Sequence, residues 1–401
     1  MKTTILISAL WLIAFVWLVI VVLTIRGVSR QKSLSASTNL RLTANDAPLV
    51  SILVPARNEE GRVLEPCIRS ILAQDYGNFE IIAVNDHSTD KTGEILETLA
   101  KTDERLRVIE GKELPPGWLG KPYAMHQALD HARGEWILAT DADMIFEPAV
   151  LRTALDHALA SNGHALTLVP RFETGSFWER VVIPTWEWVF LMFAIFYRIN
   201  DPKSDRAAAI GGFFLIKRSV LDGVGSYEGL KDEVMEDVRL AERVKRLGAR
   251  MMIARAPALI RTRMYSTFAE MWECSTKNWF SGVNFSFPFA LLCVVSTYLG
   301  AVVPPLIALV SLIAIASGTD LSSLFIPAAL SWILQVLMMA IVSRRSGVSP
   351  LYALTAPLGL ALIYAMLFDS SIRITTGRGV TWKGRRIYER RGVRPPRSVS
   401  P

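Results

Sequence analysis

A chain of 401 residues holds one sizeable folded domain with further elements, and its 51% apolar share, gathered at the two ends, excludes a single water-soluble globule because two solvents are implied. From Arg373 onward nine Lys and Arg face one acid, Glu389, so the net charge of +7 resides in the tail and the remainder is nearly neutral. That balance argues against a nucleic-acid-binding catalytic domain and suits a basic tail on an anionic leaflet, with a solvated disordered tail as the alternative for residues 392–401.

In chain order, residues 3–25 carry no charge and are long enough as a helix to cross ~30 Å of hydrocarbon. The expected N-terminal transmembrane helix spans 1–26; a cleaved signal peptide is the alternative, disfavoured by the length of the apolar run and the lack of a small-residue cleavage pattern. Arg26, Arg30, Lys32 and Arg41 follow it, against Lys2 before it, which places the next domain in the cytosol beyond a linker at 27–48. Short β-branched runs at 49–54, 79–84, 106–109, 136–140 and 165–169 alternate with helical periods at 89–100, 123–132 and 148–159. This is an α/β pattern that predicts a doubly wound, mostly parallel sheet with ligands at the carboxyl ends of its strands. Residues 177–197 combine Trp178, Trp186 and Trp188 with a long apolar run and predict an interfacial amphipathic helix, a buried core helix being the alternative. Apolar stretches at 285–316, 324–342 and 351–368 predict a C-terminal membrane bundle over 283–372, followed by the basic tail at 373–401. Three crossings from the cytosol would put that tail outside, against the positive-inside rule, so either the first stretch crosses twice or the last is re-entrant. Cysteines 67, 274 and 293 form no disulfide framework and point to a reducing compartment; neither they nor the five histidines have zinc spacing.

The strongest chemical signal is Thr140-Asp141-Ala142-Asp143 at the end of an apolar strand, two carboxylates able to hold a hard divalent cation, Mg2+ or Mn2+, or else a plain surface turn. Val84-Asn85-Asp86-His87-Ser88-Thr89-Asp90 closes the second strand; Asp86 is placed to accept from a base or ribose, while Ser88 or Thr89 can cap the next helix. No glycine-rich phosphate loop follows any strand, so diphosphate charge must be met by metal and Lys or Arg.

Together Val50-Ser-Ile-Leu-Val-Pro-Ala-Arg-Asn-Glu-Glu60, the Asp86 segment, Asp141-Ala-Asp143 and Met235-Glu-Asp237 resemble, in order and spacing, the family-2 glycosyltransferases of GT-A fold, over a catalytic domain at 49–282. The segments 115–122, 211–216, 261–265, 271–278 and 380–385 are similar to membrane enzymes that glycosylate carotenoid acids or accompany hopanoid synthesis, so a lipid or isoprenoid acceptor is implied. The resemblance assigns Pro55, Ala56, Arg57, Glu59, Asp86, Lys121 and Asp141 to a nucleotide-sugar donor, a UDP-sugar first. It assigns Asp141 and Asp143 to the metal, and Asp237 with Glu236 to catalysis. Asp237 would be the base of an inverting single displacement; the alternative for the acidic pair is plain helix-dipole stabilisation. Lys277 and Trp279 are acceptor candidates, Trp279 being equally readable as a membrane anchor. Processive synthases carry Gln-x-x-Arg-Trp where this chain reads Ser275-Thr-Lys-Asn-Trp279, which argues against polymerisation. A transporter and a catalytically inactive glycolipid-binding protein are the other readings; the first lacks intramembrane ionisable residues and the second has no need of all these carboxylates.

Overall fold

The computed structural model describes residues 2–31, 33–36, 47–193 and 196–388. Lys32, Arg41, most of the expected linker and residues 389–401 of the expected tail lie outside the described residues. The chain opens with α1 (Lys2–Ser29), and the domain that follows is built on a seven-stranded sheet. Its strands are β1 (Val50–Ala56), β2 (Phe79–Asn85), β3 (Leu106–Glu110), β4 (Trp136–Ala139), β6 (Ala165–Val169), β8 (Phe214–Lys217) and β9 (Met251–Arg255), in the order β3-β2-β1-β4-β8-β6-β9. A separate small sheet joins β5 (Met144–Phe146), β7 (Arg171–Phe172) and β10 (Ile260–Thr262).

β1, β2, β3 and β4 are mutually parallel, as expected from alternating strands and helices. β8 runs antiparallel between β4 and β6, so its start lies at the edge where β1, β2 and β4 end. That strand and the small sheet were not among the expected elements, being two to four residues long and lacking an alternating pattern. Two apolar layers flank the sheet, one around Ile52, Trp136 and Phe213, the other around Leu53, Ile137 and Phe214, so successive residues of each strand serve opposite faces.

The connecting helices are α2 (Leu64–Leu72), α3 (Thr92–Ala100), α4 (Gly120–His131) and α5 (Val150–Ala160). Beyond them come α6 (Phe177–Phe193), the short α7 (Phe196–Ile199) and α8 (Arg218–Gly223), α9 (Glu236–Arg246) and α10 (Phe268–Gly282). α3 starts later than expected, and Ser88 and Thr89 do not cap it. Ser88 Oγ instead accepts from Asn58 N at 3.1 Å and Asp90 from Glu60 N at 2.9 Å, lacing this turn to the loop after β1. α6 is covered along much of its described length. Residues 181–185 are all buried, between Ile363 and Met366 on one side and the catalytic domain on another, while only its start, with Phe177 and Trp178, is exposed.

Among the described residues four helical segments are long and apolar enough to cross a membrane: Thr3–Ser29, Phe287–Ala316, Ser322–Arg345 and Pro350–Thr375. The second joins α11 (Phe287–Thr297) and α12 (Val303–Ala316) through a π-turn at Tyr298–Val302. Pro304 has no N–H for the Gly300 carbonyl, and Trp17 of α1 donates to it instead at 2.8 Å, which satisfies a group that lipid could not. α13 (Ser322–Arg345) runs parallel to α1: Leu10 meets Ala328 at one end, and Arg345 donates to Val28 O at 2.8 Å and Gln31 Oε1 at 2.6 Å at the other. α14 (Ala356–Thr375) behaves differently. Ala356 packs with Trp188 and Val342, and Ile374 with Phe280 and Val380, so both of its ends lie on the catalytic-domain side. Ser370 Oγ donates to Thr276 O of α10 at 2.5 Å, and Trp272 Nε1 to Asp369 at 2.7 Å.

The chain then forms a hairpin of β11 (Val380–Trp382) and β12 (Arg385–Ile387). This corrects the reading of 373–401 as one basic tail laid on lipid. Arg373 pairs with Asp369, while Lys383 and Arg385 face carboxylates of the catalytic domain.

Candidate active site

Three strand ends and two helix starts meet at one edge of the sheet. β1 delivers Pro55 and Ala56, β2 delivers Asn85 and Asp86, and β4 delivers Thr140 to Asp143; Asp86 N donates to Ala56 O at 2.8 Å, continuing the ladder into the site. The turn that leads into β8 lies there with Gly211 and Gly212, and Thr140 Oγ1 donates to Gly212 O at 2.8 Å. α4 supplies Lys121 and α9 opens with Glu236 and Asp237.

Lys121 Nζ lies 2.6 Å from Asp141 Oδ1 and 2.7 Å from Glu236 Oε1, bridging the end of β4 to the start of α9. A methyl group placed on Gly211 would stand 3.0 Å from Lys121 Nζ, 3.4 Å from Asp237 Oδ2 and 3.7 Å from Asp141 Oδ2. One point in space is therefore ringed by a cation and two carboxylates drawn from segments 20 to 116 residues apart in number (121, 141 and 237). Burial alone would lower Lys121, but Asp141 and Glu236 hold it well above an ordinary lysine. Asp237 is pushed up to about 7, first by burial and then by the charge of Glu236, against the opposing pull of Lys121. The Tyr227 hydroxyl, buried and without a hydrogen-bond partner among the described residues, lines the same cavity with Met125 and Leu240.

Among the described residues no three His, Cys, Asp or Glu side chains converge as a ready metal cage. The chemistry of the donor set nevertheless fits a hard cation. Asp143 has no hydrogen bond or ion pair among the described residues and is pushed up to about 7 by burial, then by Asp141 and Glu59, so added positive charge there relieves a carboxylate cluster. Desolvation would raise Asp141, but Lys121 holds it below the ordinary range.

At the other end of the groove Asp86 is 6% exposed, and both of its oxygens receive Arg385, at 2.6 and 2.9 Å. Arg57 Nη1 donates to the carbonyls of Asp86 at 2.6 Å and His87 at 3.0 Å, and Glu59 pairs with Lys383. A methyl on Gly120 would lie 3.0 Å from Asp86 Oδ2, so Asp86 adjoins the residue before Lys121 and the two ends of the site are neighbours. Lys277 Nζ stands 3.9 Å over the Trp382 ring, lowered by burial. Trp279 is wedged among Phe280, Tyr364 and Leu367 between α10 and α14. The structure thus brings together Asp86, Lys121, Asp141, Asp143, Glu236 and Asp237 and places Trp279 in an apolar seam. Sequence reasoning missed Gly211, Tyr227 and the roles of Trp382, Lys383 and Arg385; the Lys383-Gly384 turn inside 380–385 was the available signal.

Residues 51–225 match the family model described as Glycosyl transferase family 2. They form a family-2 glycosyltransferase domain. Glycosyltransferase GlyG of Streptococcus pneumoniae is 36% identical over 105 residues, 26% of this chain and 33% of that protein. An uncharacterized glycosyltransferase of Haemophilus influenzae is 30% identical over 152 residues, 34% of this chain and 46% of that protein. A beta-monoglucosyldiacylglycerol synthase of a Nostoc species is 40% identical over 98 residues, 24% of this chain and 20% of that protein. The chain thus matches between 20% and 46% of the length of these relatives. Among solved structures, mannosyltransferase PcManGT from Pyrobaculum calidifontis, in complex with GDP-Man and Mn2+, superposes over 91% of this chain and 98% of that one, with TM-score 0.52 at 17% identity. That likeness extends beyond residues 51–225 and establishes a shared fold.

Proposed function

We propose that the chain is an inverting glycosyltransferase that moves a sugar from a nucleoside diphosphate sugar, a UDP-sugar first, to a lipid or isoprenoid acceptor at the cytosolic face of a membrane. The observation that carries this is the convergence of Lys121, Asp141 and Asp237 around Gly211. The point it defines lies 3.4 Å from a carboxylate oxygen, within reach for a hydroxyl whose proton is to be removed. Burial that raises Asp237 to about 7 makes it a better proton acceptor than an ordinary aspartate while leaving a substantial ionised fraction near neutrality. Glu236 tunes Asp237 and is itself held by Lys121. At the donor end, Pro55, Ala56, Arg57, Glu59 and Asp86 line the nucleoside groove. Asp141 and Asp143 would hold Mg2+ or Mn2+, which when bound neutralises charge on the departing diphosphate.

The lipid side of the proposal draws on α1, α12 and α13, which expose Ile5, Phe15, Val310, Ile313 and Ile333 at 61 to 67%, a band too large for a water-facing surface. These rods would cross the bilayer, while α14 would lie along the cytosolic face because both of its ends stay beside the catalytic domain. Exposed Phe177, Trp178, Tyr197, Leu351 and Leu354 mark the interfacial level. Likeness to a beta-monoglucosyldiacylglycerol synthase supports a glycerolipid as one acceptor class beside the isoprenoids, and Lys277 stands ready for an acidic acceptor group.

The test incubates the purified full chain with radiolabelled nucleotide sugars and a membrane lipid extract, with and without EDTA. Labelled lipid is expected only when divalent cation is available, and Asp237→Asn is expected to reduce it by at least ~100-fold. Unchanged product from that variant would overturn the base assignment. Water-insoluble polymer in place of glycolipid would favour a processive synthase.

A further inference from the structure

The C-terminal hairpin enters the donor groove from almost 300 residues away in sequence, and its contacts there are specific. Arg385 is bidentate to Asp86, at 2.6 and 2.9 Å; Lys383 Nζ pairs with Glu59 and donates to Arg57 O at 3.0 Å; Arg57 Nε donates back to Lys383 O at 3.4 Å. The Arg385 guanidinium also fills the space over Gly120, where an added methyl would collide with it. Asp86 is therefore closed on both oxygens and buried, and no nucleoside N–H or ribose hydroxyl can reach it while Arg385 stays.

The hairpin is held at its base and charged at its tip. Its turn is a tight pair, Lys383 at φ 45° and Gly384 at φ 77°, and the strap leading to it contains Gly377 at φ 71° and Gly379 at φ 68°, left-handed positions at which glycine carries no steric penalty. Val380 and Tyr388 anchor its two ends in the apolar cluster of Leu119, Phe280, Leu367 and Ile374. The charged tip thus lies in the groove while the base is held by packing.

Resting on the donor-site reading above, we propose that this hairpin is a latch: in the donor-free chain Arg385 occupies the nucleoside-binding carboxylate Asp86, Lys383 occupies Glu59, and a nucleoside diphosphate enters by displacing them. The latch competes with donor for the same carboxylate, so it lowers donor affinity by the fraction of time it is open. It keeps the buried acidic groove neutralised when no donor is present, at the cost of apparent affinity.

The experiment measures binding of UDP and of GDP, each with Mn2+, to the full chain in detergent by calorimetry, for the wild type, Arg385→Ala and Asp86→Asn. With the latched state dominant, Arg385→Ala tightens nucleotide binding on the order of tenfold, and Asp86→Asn weakens it. Equal or weaker binding by Arg385→Ala, with Asp86→Asn also weakened, overturns the latch and leaves the donor site standing. Wild-type affinity in Asp86→Asn, or no binding by any form, overturns the donor site and the latch with it. A readout on the unaltered chain guards against misfolding of the variants: saturating nucleotide speeds trypsin cleavage at residues 383–386 if the tip is displaced, and slower cleavage would show that the hairpin closes on the nucleotide instead.

Discussion

Replacing Gly211 with alanine isolates the reacting point from the rest of the molecule. The added carbon would lie 3.0 Å from Lys121 Nζ, 3.4 Å from Asp237 Oδ2 and 3.7 Å from Asp141 Oδ2, where the proposed mechanism needs the sugar and the attacking oxygen. Gly211 is not among the left-handed residues, so alanine adds no backbone strain, and the tightest neighbour is the end of a flexible lysine. The fold should therefore survive, with an unfolding midpoint within a few degrees of the parent. Catalysis should not. Moving the reactants by about 1 Å costs roughly 100-fold in rate, equivalent to about 2.7 kcal/mol of transition-state stabilisation. Nucleotide binding, centred on Asp86 at the other end of the groove, should change little. The assay pairs initial rates of labelled glycolipid formation with calorimetric nucleotide binding and thermal unfolding in the same detergent. A variant that folds, binds nucleotide and still turns over within about threefold of the parent would show that the sugar does not pass Gly211.

Four further outcomes follow from the geometry. Asp237 acts as a base only when ionised, so activity should climb with pH through about 7; burial is the main cause, but removing the second cause with Glu236→Gln should move that limb to lower pH. The same group binds its proton more tightly folded than at its unfolded value of ~3.9, so its contribution to stability declines as pH rises from there through about 7, measurable by chemical unfolding across that window. Glu179 is the opposite case: burial would raise it, but Arg263 and the N–H groups of Gly175 and Ser176 bring it down to about 2. Its contribution is present above ~4.3 and lost as pH falls through about 2, and Glu179→Ala should cost about 2 kcal/mol at neutral pH, read from denaturant midpoints. In a Cys293→Ser background, Thr319→Cys should react with an impermeant maleimide in intact cells and Ser349→Cys only after lysis; labelling of the latter from outside would mean that α14 crosses the bilayer.

Signals carried by neighbouring residues were legible in the sequence. The uncharged run at 3–25 reports a helix matched to lipid, alternating β-branched and 3.6-period segments report a mostly parallel sheet, and Asp141-Ala-Asp143 after an apolar strand marks the ligand edge, because each depends on spacing along a single element. The Trp-rich run at 177–197 carried no record of which of its faces are covered, since burial depends on Ile363 and Met366, far along the chain. What only the tertiary structure decided is where distant segments meet: the insertion of β8, which brings Gly211 to the site; the pairing of Lys121 with both Asp141 and Glu236; the return of α14 to the catalytic side; and the docking of Arg385 on Asp86. Local spacing carries no record of such pairings. They are set when the whole core closes and buried charges must find partners, and at Asp86 that partner comes from the end of the described chain.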